Sequence, residues 1–144
     1  METAFDPHEF AKRRRIFVVD PFAISRMAVS QWIGQTPDLK VCGQADSEAA
    51  ALAAVERLKP DAVVTEVLRP KDLGFIRSLH QRHPHLPILV YSYKGKACNA
   101  ALAVKAGADG YLMKDAGRVQ LVNCVRAAFL FLAPIVKPGY QVKF

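Results

Sequence analysis

The chain has 144 residues and a mass of 15.9 kDa, the size of one ordinary domain, so a second folded module is not expected. Hydrophobic residues make up 51% and charged residues 23%, which excludes disorder along most of the chain. The longest uncharged apolar run, residues 127–136, is about half of a bilayer span and contains Pro134, so we expect no membrane helix. The first ten residues carry acids rather than a secretory signal, and we expect a cytoplasmic location.

The net charge of +7 is unevenly distributed. Residues 1–72 hold 10 basic and 11 acidic side chains, whereas residues 73–144 hold 10 basic side chains and only Asp109 and Asp115. A basic half of this kind suits an acidic partner or nucleic acid, and it equally suits a solvated basic face. Nucleic-acid binding therefore stays open.

Short β-branched runs alternate with helical patterns along the chain. The predicted strands are residues 16–19, 41–42, 62–65, 88–91 and 111–113. The predicted helices are residues 24–32, 47–59, 75–83, 98–106 and 119–132. Asp46 or Ser47 is the expected cap of the second helix, and Gly107 is the expected residue just after the fourth.

This alternation predicts an α/β fold, a doubly wound five-stranded parallel sheet with helices on both faces, because parallel strands need crossover helices. Ligands of such folds bind beyond the carboxyl ends of the strands. Four polar residues stand at these ends: Asp20, Glu66, Ser92 and Lys114. We expect the two acids, the hydroxyl and the amine to converge.

From about residue 14 to residue 133 the chain resembles the receiver domain of bacterial two-component response regulators, and it is most similar to the NarL/FixJ class. The resemblance rests on five features in register: FVVD with Arg26 six residues on, PDAVV before Glu66, Pro70 and Gly74 after it, PILVYS, and GADGYLMKD. It implies a flavodoxin-like sheet of order 2-1-3-4-5. It also divides the chain into an N-terminal extension (1–13), a receiver domain (14–133) and a C-terminal tail (134–144).

The resemblance assigns roles to individual positions. Glu66 stands where the family has the aspartate that accepts a phosphoryl group from a histidine kinase. Asp20 matches one metal-binding carboxylate, but Pro21 stands where the second is usual. The family's hydroxyl switch, aromatic switch and lysine match Ser92, Tyr111 and Lys114.

These departures change the expected chemistry. Glu66 is one methylene longer than aspartate, which displaces its carboxylate by roughly 1.5 Å and spoils in-line alignment. Mg²⁺ wants near-ideal oxygen coordination, so with Pro21 present we expect a weak or absent Mg²⁺ site at Asp20 and no other cofactor. We predict a protein that is not an enzyme and is phosphorylated weakly or not at all.

A glutamate at this position also carries negative charge towards the place of a phosphoryl oxygen. Paired with Lys114 and within reach of Ser92, Glu66 would partly imitate the phosphorylated state, with a charge of −1 against about −1.5 to −2. Two structural alternatives stay open. In the first, Glu66 is simply a buried acid paired with Lys114. In the second, Asp20 only hydrogen-bonds the loop after the first strand.

The leading functional hypothesis is a phosphorylation-independent interaction module. Its predicted surface is the fourth helix, fifth strand and fifth helix, with a second copy of the chain, a histidine kinase or a regulator as partner and no membrane contact. The basic residues predicted on this surface are Lys96, Lys105, Arg118 and Arg126.

One alternative is the receiver part of a NarL/FixJ-type DNA-binding transcription regulator whose helix-turn-helix is not in this chain. Another is a phosphorylatable, Mg²⁺-dependent receiver that uses Glu66 or Asp72.

Overall fold

The computed structural model describes residues 13–93 and 97–129, with the backbone alone for residues 71 and 97–99. Strands and helices alternate throughout this part of the chain. The strands are β1 (Arg14–Val19), β2 (Leu39–Ala45), β3 (Ala62–Thr65), β4 (Ile88–Ser92) and β5 (Gly110–Met113). The helices are α1 (Ala23–Gly34), α2 (Glu48–Leu58), α3 (Leu73–Arg82), α4 (Ala97–Ala106) and α5 (Arg118–Ala128), with a 3₁₀ turn at Pro70–Asp72 before α3.

All five strands are parallel and lie in the order β2-β1-β3-β4-β5. The predicted fold class and strand order are therefore confirmed. The order of the strands reverses at β1, which places the ends of β1 and β3 side by side, and this is where a parallel α/β sheet forms a crevice for ligands.

Each face of the sheet is covered by its own hydrophobic cluster. One cluster joins the sheet to α2, α3 and α4, with Phe17, Ile76 and Tyr111 among its largest members. The other joins the opposite face to α1 and α5, with Ile33 and Leu121 fully buried. Burial of both faces explains why β3 and β4 read as continuous apolar runs rather than as alternating patterns.

Two local signals place helix ends where the sequence predicts them. The Ser47 hydroxyl accepts a hydrogen bond from the Ala50 N–H at 3.3 Å and caps α2. Gly107 follows α4 with a φ of +127°, and a Cβ there would lie 2.6 Å from the His80 side chain. Glycine is required at this position both for its backbone conformation and for the close approach of α3.

Two elements differ from their predicted extent. β2 is much longer than the predicted pair of residues because it pairs with every residue of β1, with a register shift between Ile16 and Phe17. The last helix was expected over residues 119–132; it begins at Arg118, its described part ends at Ala128, and residues 130–132 lie outside the described residues. Among the residues described, no helix is both long and apolar enough to cross a bilayer.

Candidate functional site

The two predicted acids and the predicted lysine meet at the carboxyl edge of the sheet. Asp20 follows β1, Glu66 follows β3 and Lys114 follows β5. The Lys114 Nζ atom lies 2.7 Å from Asp20 Oδ2 and 2.7 Å from Glu66 Oε2. The side chains are 4%, 0% and 4% exposed for Asp20, Glu66 and Lys114, so one ammonium stands between two carboxylates with almost no access of water.

Asp20 also organises the loop that leads into α1. Its Oδ1 accepts a hydrogen bond from the Phe22 N–H at 2.8 Å, and its Oδ2 accepts one from the Ser25 hydroxyl at 2.7 Å. The Arg26 guanidinium donates to the Asp20 carbonyl oxygen at 2.8 Å. Asp20 thus hydrogen-bonds the loop after β1, which is the structural role proposed for it from the sequence. The part played by Ser25 was not predicted from the sequence.

Glu66 is held at both carboxylate oxygens. Its Oε1 accepts from the Val67 N–H at 2.9 Å, and its Oε2 accepts from the Tyr93 N–H at 3.3 Å as well as from Lys114. The Ser92 hydroxyl donates to the Val67 carbonyl oxygen at 2.9 Å, so it ties the loop after β3 to the end of β4. The backbone N–H of Tyr93 is a contact that no side-chain pattern in the sequence indicates.

Tyr111 lies away from the acids, in the cluster beneath α2, α3 and α4. Its side chain is completely buried, and neighbouring positions of the cluster on β4 and α4 are occupied by Val90 and Ala103. The aromatic position predicted from the resemblance is therefore turned inward in this structure.

Several acids lie around Glu66, and donors of the protein already engage three of them. The pocket beside Glu66, about 410 Å³ in volume, is also lined by Asp46, Glu48 and Asp72. Asp72 Oδ2 already accepts from the N–H groups of residues 68 and 69 at 3.0 Å each, and Asp20 and Glu66 are engaged by the donors described above. Pro21 offers no side-chain oxygen, and within the described ranges no three acidic, histidine or cysteine side chains are grouped to hold a metal ion.

Three of the four basic residues predicted for a partner surface lie in the described part of the chain. Lys105 is exposed near the end of α4. Arg126 on α5 instead binds Asp38 with two hydrogen bonds, at 2.9 and 2.6 Å, and Arg118 reaches Gln35 at 3.5 Å, so both point towards the end of α1. The hydrogen bond from Arg126 lowers the pKa of the Asp38 carboxyl below its usual value. Lys96 lies outside the described residues.

Comparison with known proteins identifies the family to which the chain belongs. The family model "Response regulator receiver domain" matches residues 16–126, and the chain belongs to this family. Among curated relatives, the response regulator GacA of Pseudomonas viridiflava is 31% identical over 117 residues, which cover 80% of this chain and 55% of GacA. The DNA-binding transcriptional activator DevR/DosR of Mycobacterium tuberculosis is 32% identical over 114 residues, covering 78% of this chain and 52% of DevR/DosR.

Solved structures of response regulators have a similar fold. A LuxR-family two-component response regulator from Aurantimonas superposes with a TM-score of 0.77 at 26% identity, covering 82% of this chain and 86% of that one. The receiver domain of the putative response regulator NarL from Mycobacterium tuberculosis has a TM-score of 0.76 at 24% identity, over 82% and 98% of the two chains, and supports the fold alone. The chain spans about half the length of the curated relatives it matches.

Proposed function

We propose that this receiver domain acts in signal transduction through protein–protein contacts without being phosphorylated, and that Glu66 stands in for a phosphorylated aspartate. One observation carries the proposal. The Glu66 carboxylate is bound at the same time by the Lys114 ammonium and by the Tyr93 N–H, two donors contributed by the ends of β5 and β4. A negative group at the end of β3 is thereby connected to the two strands whose loops change in receiver switching.

The position of Tyr111 supports a switched conformation. The resemblance associates phosphorylation with an inward turn of this aromatic ring, and the ring is completely buried here. The Ser92 hydroxyl is drawn to the loop after Glu66 through the Val67 carbonyl oxygen. These features belong to the unmodified chain, so the proposal needs no covalent event to explain them.

The same geometry disfavours Glu66 as a phosphoacceptor. A nucleophilic oxygen must be aligned with the leaving group, and phosphoryl transfer depends on a divalent cation to neutralise developing charge. Lys114 and two N–H groups hold the Glu66 carboxylate in a fixed orientation, and Pro21 supplies no second carboxylate for a divalent cation. Asp72 is engaged by two backbone N–H groups of its own loop, which disfavours it as a substitute acceptor.

Within this proposal the partner is another protein, either a second copy of the chain or a kinase or regulator. Lys105 is the predicted surface residue that stays on the α4 side of the domain. Arg118 and Arg126 instead border the groove between α1 and α5, so an interface that includes them would lie on that side. We place the functional unit at residues 14–133, between an N-terminal segment (1–13) and a C-terminal segment (134–144). We propose that the protein acts in the cytoplasm.

Labelling with radioactive acetyl phosphate in the presence of Mg²⁺ tests the proposal. We expect no acid-stable, base-labile phosphoryl group on the native chain. The matched control is Pro21→Asp/Glu66→Asp, which restores both carboxylates of the family pattern and should become labelled. Incorporation into the native chain that Glu66→Gln abolishes would make Glu66 a working acceptor and end the proposal.

A second candidate function comes from the relatives. DevR/DosR is named a DNA-binding transcriptional activator, and the present chain spans about half of its length. We therefore keep as a second proposal that the chain is the receiver part of a transcription regulator. Sequencing the gene beyond the codon for Phe144 distinguishes the two, because a helix-turn-helix downstream would give the receiver a DNA-binding output.

A further inference from the structure

Two aromatic rings lie over the Lys114 ammonium on its solvent side. The Nζ atom is 4.3 Å from the centre of the Tyr93 ring and 5.6 Å from the centre of the Phe22 ring. The two rings meet edge to face, with centres 5.8 Å apart and an interplanar angle of 75°. They are 62% and 44% exposed, whereas the lysine side chain beneath them is 4% exposed.

The position of each ring is tied to one of the two acids. The backbone N–H of Phe22 donates to Asp20 Oδ1, and the backbone N–H of Tyr93 donates to Glu66 Oε2. The same two carboxylates hold the lysine from below. The ammonium is thus enclosed by two negative charges on one side and by the electron-rich faces of two rings on the other, an arrangement that favours a cation.

We infer that Phe22 and Tyr93 form an aromatic lid over the Lys114 ammonium and keep it as the resident counter-ion of Asp20 and Glu66. The inference rests on the proposed function, and it adds a reason for it. The lid and the ammonium satisfy both carboxylates from within the chain and shield them from water, from metal ions and from small phosphoryl donors.

A groove beside the two rings allows a small reagent to approach the lid. The groove, of about 720 Å³, is lined by the two rings, by Lys114 itself and by Ile24 and Trp32 of α1. The Lys114 side chain is only 4% exposed although it borders this groove, and the Tyr93 and Phe22 rings lie over its ammonium. Protection of the lysine therefore depends on the lid.

The test is acylation of the folded chain with a water-soluble N-hydroxysuccinimide ester of acetate, with the rate at each lysine measured by peptide mass spectrometry. Exposed Lys40 and Lys105 serve as internal references. We expect Lys114 in the native chain to react at least about ten-fold more slowly than these, and Phe22→Ser/Tyr93→Ser to remove about ten-fold of that protection. The reference rates should not change.

Three single variants separate the lid from a general loosening of the fold. Tyr93→Phe keeps the ring and should preserve the protection of Lys114, whereas Tyr93→Ser should lose part of it. Ile24→Ser changes a side chain that is 86% exposed in the same groove, and it should leave Lys114 protected.

The inference is overturned if Lys114 of the native chain reacts as fast as Lys105, a result that does not depend on how any variant folds. It is also overturned if Tyr93→Ser leaves the Lys114 rate unchanged in a chain whose circular dichroism is native. Acetyl phosphate labelling reports separately on the proposed function. A protected Lys114 in a labelled chain would refute that function alone, and a reactive Lys114 in an unlabelled chain would refute the lid alone.

Discussion

Replacement of Lys114 by methionine is the sharpest perturbation of the buried charges. The variant keeps most of the aliphatic stem but leaves the carboxylates of Asp20 and Glu66, 4% and 0% exposed, without their cation. Removing one member of a buried ionic group costs about 3–5 kcal/mol. Each carboxylate keeps backbone N–H donors, at 2.8 to 3.3 Å, which places the expected loss near the lower end, about 3 kcal/mol.

Urea unfolding at pH 7 measures this loss. With a slope of about 1.5 kcal/mol per M, a loss of about 3 kcal/mol lowers the midpoint by about 2 M. The matched control, Lys105→Met, changes an exposed lysine and should stay within about 0.5 kcal/mol of the native chain. Adding Asp20→Asn and Glu66→Gln to Lys114→Met removes the unpaired charges and should recover at least half of the loss. A cost below about 1 kcal/mol for Lys114→Met would refute the reasoning.

Three further substitutions test other parts of the structure by urea unfolding. Burial raises the pKa of Tyr91 to about 12, so the contribution of Tyr91 to native stability should fall as the pH rises from 10 to 12. Tyr91→Phe loses a 2.6 Å hydrogen bond, should cost about 1 kcal/mol at pH 7 and should make that fall smaller. Arg126→Ala should cost under about 1 kcal/mol because its pair with Asp38 is half-exposed; a coupling above about 2 kcal/mol in a double-mutant cycle would contradict this. Gly107→Ala should destabilise by more than about 1 kcal/mol, whereas Gly34→Ala, in open space on a helix, should not destabilise.

The fold was predictable because its signals are local and repeated. The apolar runs of β3 and β4, the cap at Ser47 and the glycine after α4 each follow from a few neighbouring residues. Alternation of strand and helix then restricts the topology to a parallel sheet covered on both faces. The full length of β2 was missed because it depends on pairing with β1, which is a tertiary contact.

The residues of the site could be predicted from the sequence, but several of their hydrogen bonds and ring contacts could not. Position at the ends of strands brought Asp20, Glu66 and Lys114 together as expected. The backbone donor of Tyr93 and the ring of Phe22 above the ammonium could not be read from side-chain identity, since both depend on the path of two loops. The directions of Arg118 and Arg126 were missed for a similar reason, because their partners Gln35 and Asp38 come from a distant part of the chain.

The central claim is that Glu66 already holds the receiver in the arrangement that phosphorylation would produce. The most direct test is an amide NMR titration of the native chain with Mg²⁺ and then with beryllofluoride, a phosphoryl mimic, beside Pro21→Asp/Glu66→Asp. We predict that only the variant responds, with shifts that spread from position 66 to Tyr111 and α5. An equal response of the native chain would show a conventional phosphorylatable receiver and would contradict the account.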